Sequence, residues 1–228
     1  MDKLSSDNIR SFYNSKYATK LSKQTIYKNK RLLKYIRFEK TDSVVDFGCG
    51  DGRFAHLIHD RINSYTGVDF SNDFIEIAKN NLLQTNINNA CFICEEISSF
   101  CKNNPNSFDK AFALDFTEHV YDEELIRIFK AVKYSLKVNG IFYIHTPNGD
   151  YFIEKLKTAG ILKQFPEHIA VRNDKENIQI FKKAGFTRIT VKFISHYEKI
   201  LGLLHFLSYI PIFGKYFKAR IFISAQFN

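Results

Sequence analysis

The fold is decided by the stretch Val44-Val45-Asp46-Phe47-Gly48-Cys49-Gly50-Asp51-Gly52-Arg53-Phe54-Ala55. An apolar run typical of a buried strand leads into three closely spaced glycines, and a helical pattern follows them. Glycine allows positive φ and a close approach of the backbone to a ligand, and the first turn of a helix offers unpaired N–H groups. The segment therefore predicts a ligand-binding loop between a strand and a helix.

Outward from this loop, short β-branched runs alternate with helical patterns, which is typical of a parallel sheet covered by helices on both faces. The predicted core strands are Ser43–Phe47, Tyr65–Asp69, Ala90–Cys94, Lys110–Asp115 and Ile141–His145. The predicted helices are Gly52–His59, Asn72–Leu83, Asp122–Leu136 and Lys175–Ala184, and the stretch Ile9–Ile36 predicts one or two more.

Two further strand candidates, Thr187–His196 and Ala219–Phe227, flank an apolar and basic segment and predict an antiparallel edge. We expect an α/β fold with a Rossmann-like, doubly wound, seven-stranded and mostly parallel sheet, preceded by an N-terminal helical cap. A chain of 228 residues supports one sizeable core. The expected single domain comprises a helical cap (1–40), a cofactor-binding core (41–196), an insert (197–218) and a final strand (219–228).

The net charge of +9 is unevenly distributed, because residues 1–40 carry +8, residues 41–180 carry −6 and residues 181–228 carry +7. Basic ends are compatible with a solvated surface, an anionic lipid surface or a nucleic acid. No aromatic and basic RNA-binding motif accompanies them, so a nucleic acid is the least favoured partner. The polar start and the four cysteines predict a cytoplasmic chain without a signal peptide, with Cys91 and Cys94 in the core.

Two carboxylates indicate which ligand the loop binds. Asp69 ends the next strand, 19 residues after Gly50, where a carboxylate can accept both hydroxyls of a ribose. Asp46 stands just before the glycines and would repel the pyrophosphate of a dinucleotide. S-adenosylmethionine carries an α-ammonium and a sulfonium and has no phosphate, so the same carboxylate favours its binding.

From Val44 to Ile189 the sequence resembles the class I S-adenosylmethionine-dependent methyltransferases. The resemblance implies a methyltransferase that uses S-adenosylmethionine as its cofactor. The residues implied to bind this cofactor are Asp46, Gly48, Cys49 and Gly50 at the methionine end, Asp69 at the ribose, Phe70, Glu95 and Glu96 around the adenine, Asp115 near the transferred methyl, and Tyr17 on the N-terminal helix.

Two later motifs bear on the acceptor. Phe165-Pro166-Glu167-His168-Ile169 and Lys183-Ala184-Gly185-Phe186 resemble the subset that contains the ubiquinone-biosynthesis O-methyltransferases. This resemblance implies methyl transfer to a hydroxyl of a small, sugar-like or lipid-linked acceptor. Two alternatives stay open: N-methylation of a small amine and, from another class, a nucleic-acid-binding protein or RNA modifier with the same fold.

Asp115, Glu118 and His119 have the spacing i, i+3, i+4, which would place three ligands on one face of a helical turn, with His168 as a fourth. The arrangement resembles that of small-RNA 2′-O-methyltransferases, which use a divalent cation to lower the pKa of the acceptor hydroxyl. Two alternatives need no metal. The two histidines could act as catalytic bases, since their pKa lies near neutrality, or they could hydrogen-bond to the backbone and shape the pocket.

The insert 197–218 is rich in leucine, isoleucine and aromatic residues and ends with basic side chains. Its most hydrophobic part, Ile200–Phe213, is about 14 residues long, which is shorter than the ~20 residues needed to cross a bilayer. Three interpretations remain open: peripheral membrane contact through residues 197–220, a lid packed on the domain, and a dimer surface. The sequence leaves the oligomeric state undetermined.

Overall fold

The structure is a computed structural model that describes residues 28–227. Its strands are β1 (Ser43–Phe47), β2 (Ser64–Asp69), β3 (Ala90–Cys94), β4 (Phe108–Leu114), β5 (Leu136–Pro147), β6 (Arg188–Ile194) and β7 (Arg220–Gln226). Its α-helices are α1 (Arg53–Ile58), α2 (Asn72–Leu83), α3 (Ile97–Asn103), α4 (Asp122–Ser135), α5 (Phe152–Thr158), α6 (Asp174–Lys183) and α7 (Lys199–Leu203). Short 3₁₀ segments are Leu33–Tyr35, His59–Arg61, Thr117–His119, Leu204–Tyr209 and Gly214–Phe217.

The described strands form one sheet in the order β3-β2-β1-β4-β5-β7-β6. Strand β1 pairs in parallel with β2 and β4, and β2 pairs in parallel with β3. Strand β7 runs antiparallel to both β5 and β6. The predicted seven-stranded, mostly parallel sheet with an antiparallel edge is therefore confirmed, whereas most of the predicted helical cap lies outside the described residues.

Within residues 28–227, the chain forms two compact units. The first unit comprises 28–112 with 134–137, and its core includes the ring pairs Phe54–Phe112 and Phe47–Phe100. The second unit comprises 113–133 with 138–227, and its core is a cluster of rings from Phe129, Phe142, Phe181 and Phe186. The predicted boundaries of cap, core and insert stay predictions.

Local sequence signals account for several helix ends. The Ser71 hydroxyl accepts a hydrogen bond from the Phe74 N–H at the start of α2. Asn173 and Glu176 form a reciprocal capping box at the start of α6, which satisfies two N–H groups that the helix leaves unpaired. Gly185 follows α6 with φ of 89°, a conformation that glycine adopts without strain.

The structure departs from the sequence predictions in three places. Strand β5 begins five residues before the predicted Ile141, and the sequence does not predict helices α3, α5 and α7. Cys91 and Cys94 are exposed, so the prediction that they lie in the core is wrong. Cys91 and Cys94 lie on opposite faces of β3, which is the outermost strand of the sheet, so fewer neighbouring side chains cover it and residues on both faces reach solvent. Among the described residues, none of the helices has the length and apolarity needed to span a bilayer.

Candidate active site

The loop after β1 turns on three glycines with positive φ: Gly48 (68°), Gly50 (52°) and Gly52 (74°). A Cβ on Gly52 would lie 2.4 Å from the ring of Phe92, so close packing of the loop on β3 requires glycine there. Among residues 28–227, a Cβ at Gly50 would meet only the ring of Phe74, at 3.7 Å. These residues therefore leave room beside Gly50, where a ligand can approach the backbone.

Asp46, on β1, is buried and 3% exposed. Its Oδ2 accepts a hydrogen bond of 2.7 Å from the Tyr65 hydroxyl, and within the described part of the chain no group donates to its Oδ1. Burial raises the pKa of Asp46 to about 7, with a further rise from the charge of Asp69, while the Tyr65 hydroxyl lowers it. The free Oδ1 of this carboxylate is suited to a cationic ligand.

Asp69 ends β2, and backbone N–H groups hold its carboxylate in place. Gly50 N–H donates to Oδ2 at 3.1 Å, and Ser71 N–H donates to Oδ1 at 2.9 Å. Burial raises the pKa of Asp69 to about 6, although these N–H groups favour the charged form. Each carboxylate oxygen retains a lone pair, so both can accept hydroxyl groups of a diol.

The residues predicted to surround the adenine lie at neighbouring strand ends of the first unit. The ring of Phe70, directly after β2, is exposed. Glu95 follows β3, and its N–H donates to the Asp69 carbonyl at 3.0 Å, while its carboxylate accepts a hydrogen bond from the Ser99 hydroxyl. Glu96 is the exposed N-cap of α3. Tyr17 lies outside the described residues.

In the second unit, Asp115 follows β4 with φ of 54° and therefore does not start a helical turn. Its carboxylate forms an ion pair with Arg220 and lies 3.2 Å from Nδ1 of His145. The i, i+3, i+4 spacing places these side chains on one face only in a helix through Asp115, and the structure instead has a 3₁₀ turn at Thr117–His119. Asp115 is therefore absent from the group of metal-ligating atoms found among the described residues.

Glu118, His119 and His168 do converge, because their ligand atoms all lie within 4.8 Å of one another. Glu118 is buried, and its Oε2 accepts a hydrogen bond of 3.1 Å from the Thr146 hydroxyl. Nδ1 of His119 lies 2.8 Å from the Glu167 carbonyl. A carbonyl only accepts, so Nδ1 carries the proton and Nε2 keeps its lone pair. Burial lowers the pKa of His119, which favours the neutral ring.

A buried arginine, Arg172, forms hydrogen bonds that stabilise the turn with Glu118 and His119. It donates to the carbonyls of Thr117 (2.7 Å), Val120 (2.5 Å) and Ala170 (3.1 Å) and to Asp122 (2.7 Å). The backbone adds a bond of 3.0 Å from Ala170 N–H to the Glu118 carbonyl. The segment 117–122, which carries Glu118 and His119, is thus joined to the segment 170–172, which follows His168 closely in the chain.

A family model described as a methyltransferase domain matches residues 38–198, which is more than half of the chain. The chain belongs to this family. The prediction of a class I S-adenosylmethionine-dependent methyltransferase, with S-adenosylmethionine as its cofactor, is confirmed. A methyltransferase of Archaeoglobus fulgidus, S-adenosylmethionine-dependent by its description, shares the fold with a TM-score of 0.70 and 18% identity, over 90% of this chain and 95% of that one.

Two bacterial relatives, both named ubiquinone biosynthesis O-methyltransferase, are similar to this methyltransferase in sequence. The protein of Serratia proteamaculans is 28% identical over 133 residues, which is 57% of this chain and 53% of its own length. The protein of Coxiella burnetii is 30% identical over 122 residues, which is 52% of this chain and 50% of its own length. The matched segments span about half the length of these relatives.

The residues of the first unit fit the cofactor of this methyltransferase. The buried Oδ1 of Asp46 is an acceptor for an ammonium group, and the two oxygens of Asp69 are acceptors for the ribose hydroxyls. The room beside Gly50 lets the ligand approach the loop. Sequence reasoning missed Tyr65, Thr146 and Arg172. Their roles depend on partners that are distant in sequence, and no local motif identifies them.

Proposed function

We propose that this methyltransferase acts on a hydroxyl of a small, sugar-like or lipid-linked acceptor, and that Glu118, His119 and His168 hold a divalent cation that activates it. The convergence of their three ligand atoms within 4.8 Å carries the proposal. The names of the two bacterial relatives, both O-methyltransferases, support a hydroxyl acceptor. Asp115 is left out of the proposed cation site, because Arg220 and His145 are its partners.

The chemistry explains why a cation is useful here. As the acceptor oxygen bonds to the methyl carbon, the sulfur–carbon bond breaks and the hydroxyl proton leaves to solvent. A neutral amine has a nucleophilic lone pair, whereas a hydroxyl is a weak nucleophile until its proton is lost. A divalent cation supplies Lewis acidity that lowers the pKa of such a hydroxyl. One carboxylate and two imidazoles suit such a cation.

In the same proposal, the first unit binds the cofactor. Asp46 accepts the ammonium of the methionine moiety, Asp69 accepts the ribose hydroxyls, and the backbone of Gly48, Cys49 and Gly50 lines the methionine end. Phe70, Glu95 and Glu96 surround the adenine. These assignments agree with the burial of both aspartates and with the exposed ring of Phe70. Asp115 near the methyl group and Tyr17 on the N-terminal segment keep their predicted roles.

The cation site is tested by calorimetric titration of the metal-stripped protein with Mn²⁺, Mg²⁺ or Zn²⁺. We expect Glu118→Gln and His168→Ala to weaken binding of the preferred cation at least about tenfold, which corresponds to about 1.4 kcal/mol. Glu154→Gln is a matched control, because Glu154 is also a buried carboxylate of the second unit but pairs with Lys157. Each variant should still bind S-adenosylhomocysteine, which shows that it is folded.

Turnover then separates the alternatives. With a panel of hydroxyl and amine acceptors, we expect S-adenosylhomocysteine to form with hydroxyls and only in the presence of the cation. If turnover occurs without a cation and is lost in His119→Ala or His168→Ala, a histidine acts as the base and the cation proposal is overturned. Methylation of amines alone would overturn the hydroxyl assignment.

A further inference from the structure

The insert exposes a stripe of apolar side chains at every third position. Their exposed fractions are Ile200 80%, Leu203 71%, Phe206 66%, Tyr209 84% and Ile212 84%. The 3₁₀ segment Leu204–Tyr209 has three residues per turn, so side chains three apart stack along one side. Leu203 at the end of α7, Phe206 and Tyr209 follow this three-residue spacing, and Ile212 lies beyond the segment in a turn with φ of 68°. All of these side chains are exposed to the outside. Large apolar patches of this kind mark interaction surfaces.

The C-terminal end of the insert is attached to its own unit. The ring of Phe217 lies 5.9 Å from that of Phe152 on α5, and Asn148 donates to the carbonyls of Lys218 and Ala219, at 2.7 and 3.1 Å. Leu201, Leu204 and Leu207, between the stripe residues, are half-buried. The insert is therefore anchored at its C-terminal end. A lid packed on the domain would bury the stripe, so the exposed stripe belongs to a surface for an outside partner.

The charges beside the stripe indicate the partner. Lys199 and Lys215 are exposed, and Lys218 lies over the ring of Phe193 at 4.2 Å. Glu198 is the one acidic residue between 197 and 218. Two copies of such a surface would bring like charges together, whereas an anionic bilayer offers both acyl chains and negative headgroups.

We propose that the stripe Ile200–Ile212 binds the surface of an anionic lipid bilayer, with its apolar side chains at the boundary of headgroups and acyl chains and its lysines on lipid phosphates. Tyr209 suits this boundary, because its ring is apolar and its hydroxyl can hydrogen-bond to the headgroup region. Phe206 adds a large apolar ring. The insert contacts the membrane as a peripheral element.

This surface continues toward the proposed cation site through α5. Phe152 at its start contacts the insert, and the loop after its end exposes Ile161 and Leu162. The ring of Phe165 in that loop lies 5.2 Å from the ring of His168. If the proposed function holds, on which this step rests, a membrane-bound surface would present a lipid-linked acceptor to His168 and its neighbours.

The test is flotation of the full chain with vesicles of phosphatidylcholine, with and without about one third phosphatidylglycerol. We expect binding to the anionic vesicles, at least about tenfold weaker binding by Phe206→Asp and by Lys199→Glu with Lys215→Glu, and weaker binding at high salt. Leu83→Asp is the matched control, because Leu83 is 81% exposed but lies at the end of α2 in the first unit. Binding of S-adenosylhomocysteine should be unchanged in every variant.

Equal flotation of Phe206→Asp and wild type would overturn the proposal. So would an absence of flotation together with a dimer in light scattering that Phe206→Asp dissociates, since the stripe would then bind a second copy. Flotation is measured without acceptor or cation. Its failure would leave the proposed methyl transfer untouched, and a failed acceptor screen would leave the membrane result untouched.

Discussion

The cofactor loop of the first unit and the residue cluster of the second unit are built in different ways. The loop takes Asp46, Gly48 and Gly50 from one stretch of five residues, and Asp69 comes from the adjacent parallel strand. The cluster joins Glu118 and His119 to His168, which is about 50 residues later in the chain. The first site is local, and the second is assembled by tertiary contacts.

The two sites also differ in how their charges are held. The carboxylates of Asp46 and Asp69 receive hydrogen bonds from neutral groups, a tyrosine hydroxyl and backbone N–H groups, and burial raises their pKa to about 7 and about 6. The turn of the second unit is fastened by a buried guanidinium, Arg172. In the loop, burial of the two ionised carboxylates is therefore unfavourable until a cationic ligand compensates their charge. The cluster instead depends on a cationic side chain of the protein, Arg172.

The largest expected effect is that of Arg172→Met, which removes the donor for three carbonyls and leaves them buried. We expect a loss of about 3–5 kcal/mol in the stability of the second unit, since bonds from charged donors contribute about 1.5–3 kcal/mol each and do not add fully. Thermal unfolding measures this loss, and Mn²⁺ titration measures the loss of the cluster. Arg172→Lys should restore only part of both. If Arg172→Met unfolded at the same temperature as the wild type, Arg172 would not hold the two segments of the second site together.

Asp46→Asn should break the local site without breaking the fold. We expect affinity for S-adenosylhomocysteine to fall about 10- to 100-fold, because a charge-assisted hydrogen bond to the ammonium contributes about 1.5–3 kcal/mol. Without ligand the variant should be more stable than wild type at pH 8. The raised pKa means that Asp46 stabilises the fold while protonated and loses this contribution as pH rises through about 7. Calorimetry and thermal unfolding at pH 5 and pH 8 check both statements.

The same pKa predicts a pH dependence of cofactor binding. The ammonium favours the ionised carboxylate, so affinity should rise as pH rises through about 7, by about tenfold between pH 6 and pH 8. Titrations in buffers of different ionisation enthalpy should show proton release below pH 7. Asp46→Asn should lose most of this dependence, with the remainder due to Asp69. An affinity independent of pH in the wild type would mean that Asp46 does not contact the ammonium.

The difference between a local site and a site assembled by tertiary contacts explains how far the sequence predicts each region. Glycines at Gly48, Gly50 and Gly52 and a carboxylate at a strand end are local signals, so the loop and β1 to β3 could be predicted. The ligand set of the cluster was only partly predicted, because helical spacing does not apply where Asp115 takes positive φ. Arg172 could not be identified, since a single arginine in a loop carries no periodic signal. The exposed stripe needed the structure, because apolar composition is the same for a packed lid and a free surface.

The smallest expected effect comes from Asn173→Ala, the neighbour of Arg172 in the chain. Asn173 caps α6 by accepting from the Glu176 N–H at 3.0 Å, and removal of such a cap costs about 0.5–2 kcal/mol. Thermal unfolding should show this modest loss, while the affinities for Mn²⁺ and S-adenosylhomocysteine should stay at wild-type values. Because the two positions are adjacent, the pair separates general loosening of this segment from the specific hydrogen bonds of Arg172. If Asn173→Ala weakened cation binding as strongly as Arg172→Met, the cluster would depend on the whole segment, and the role of the guanidinium would have to be abandoned.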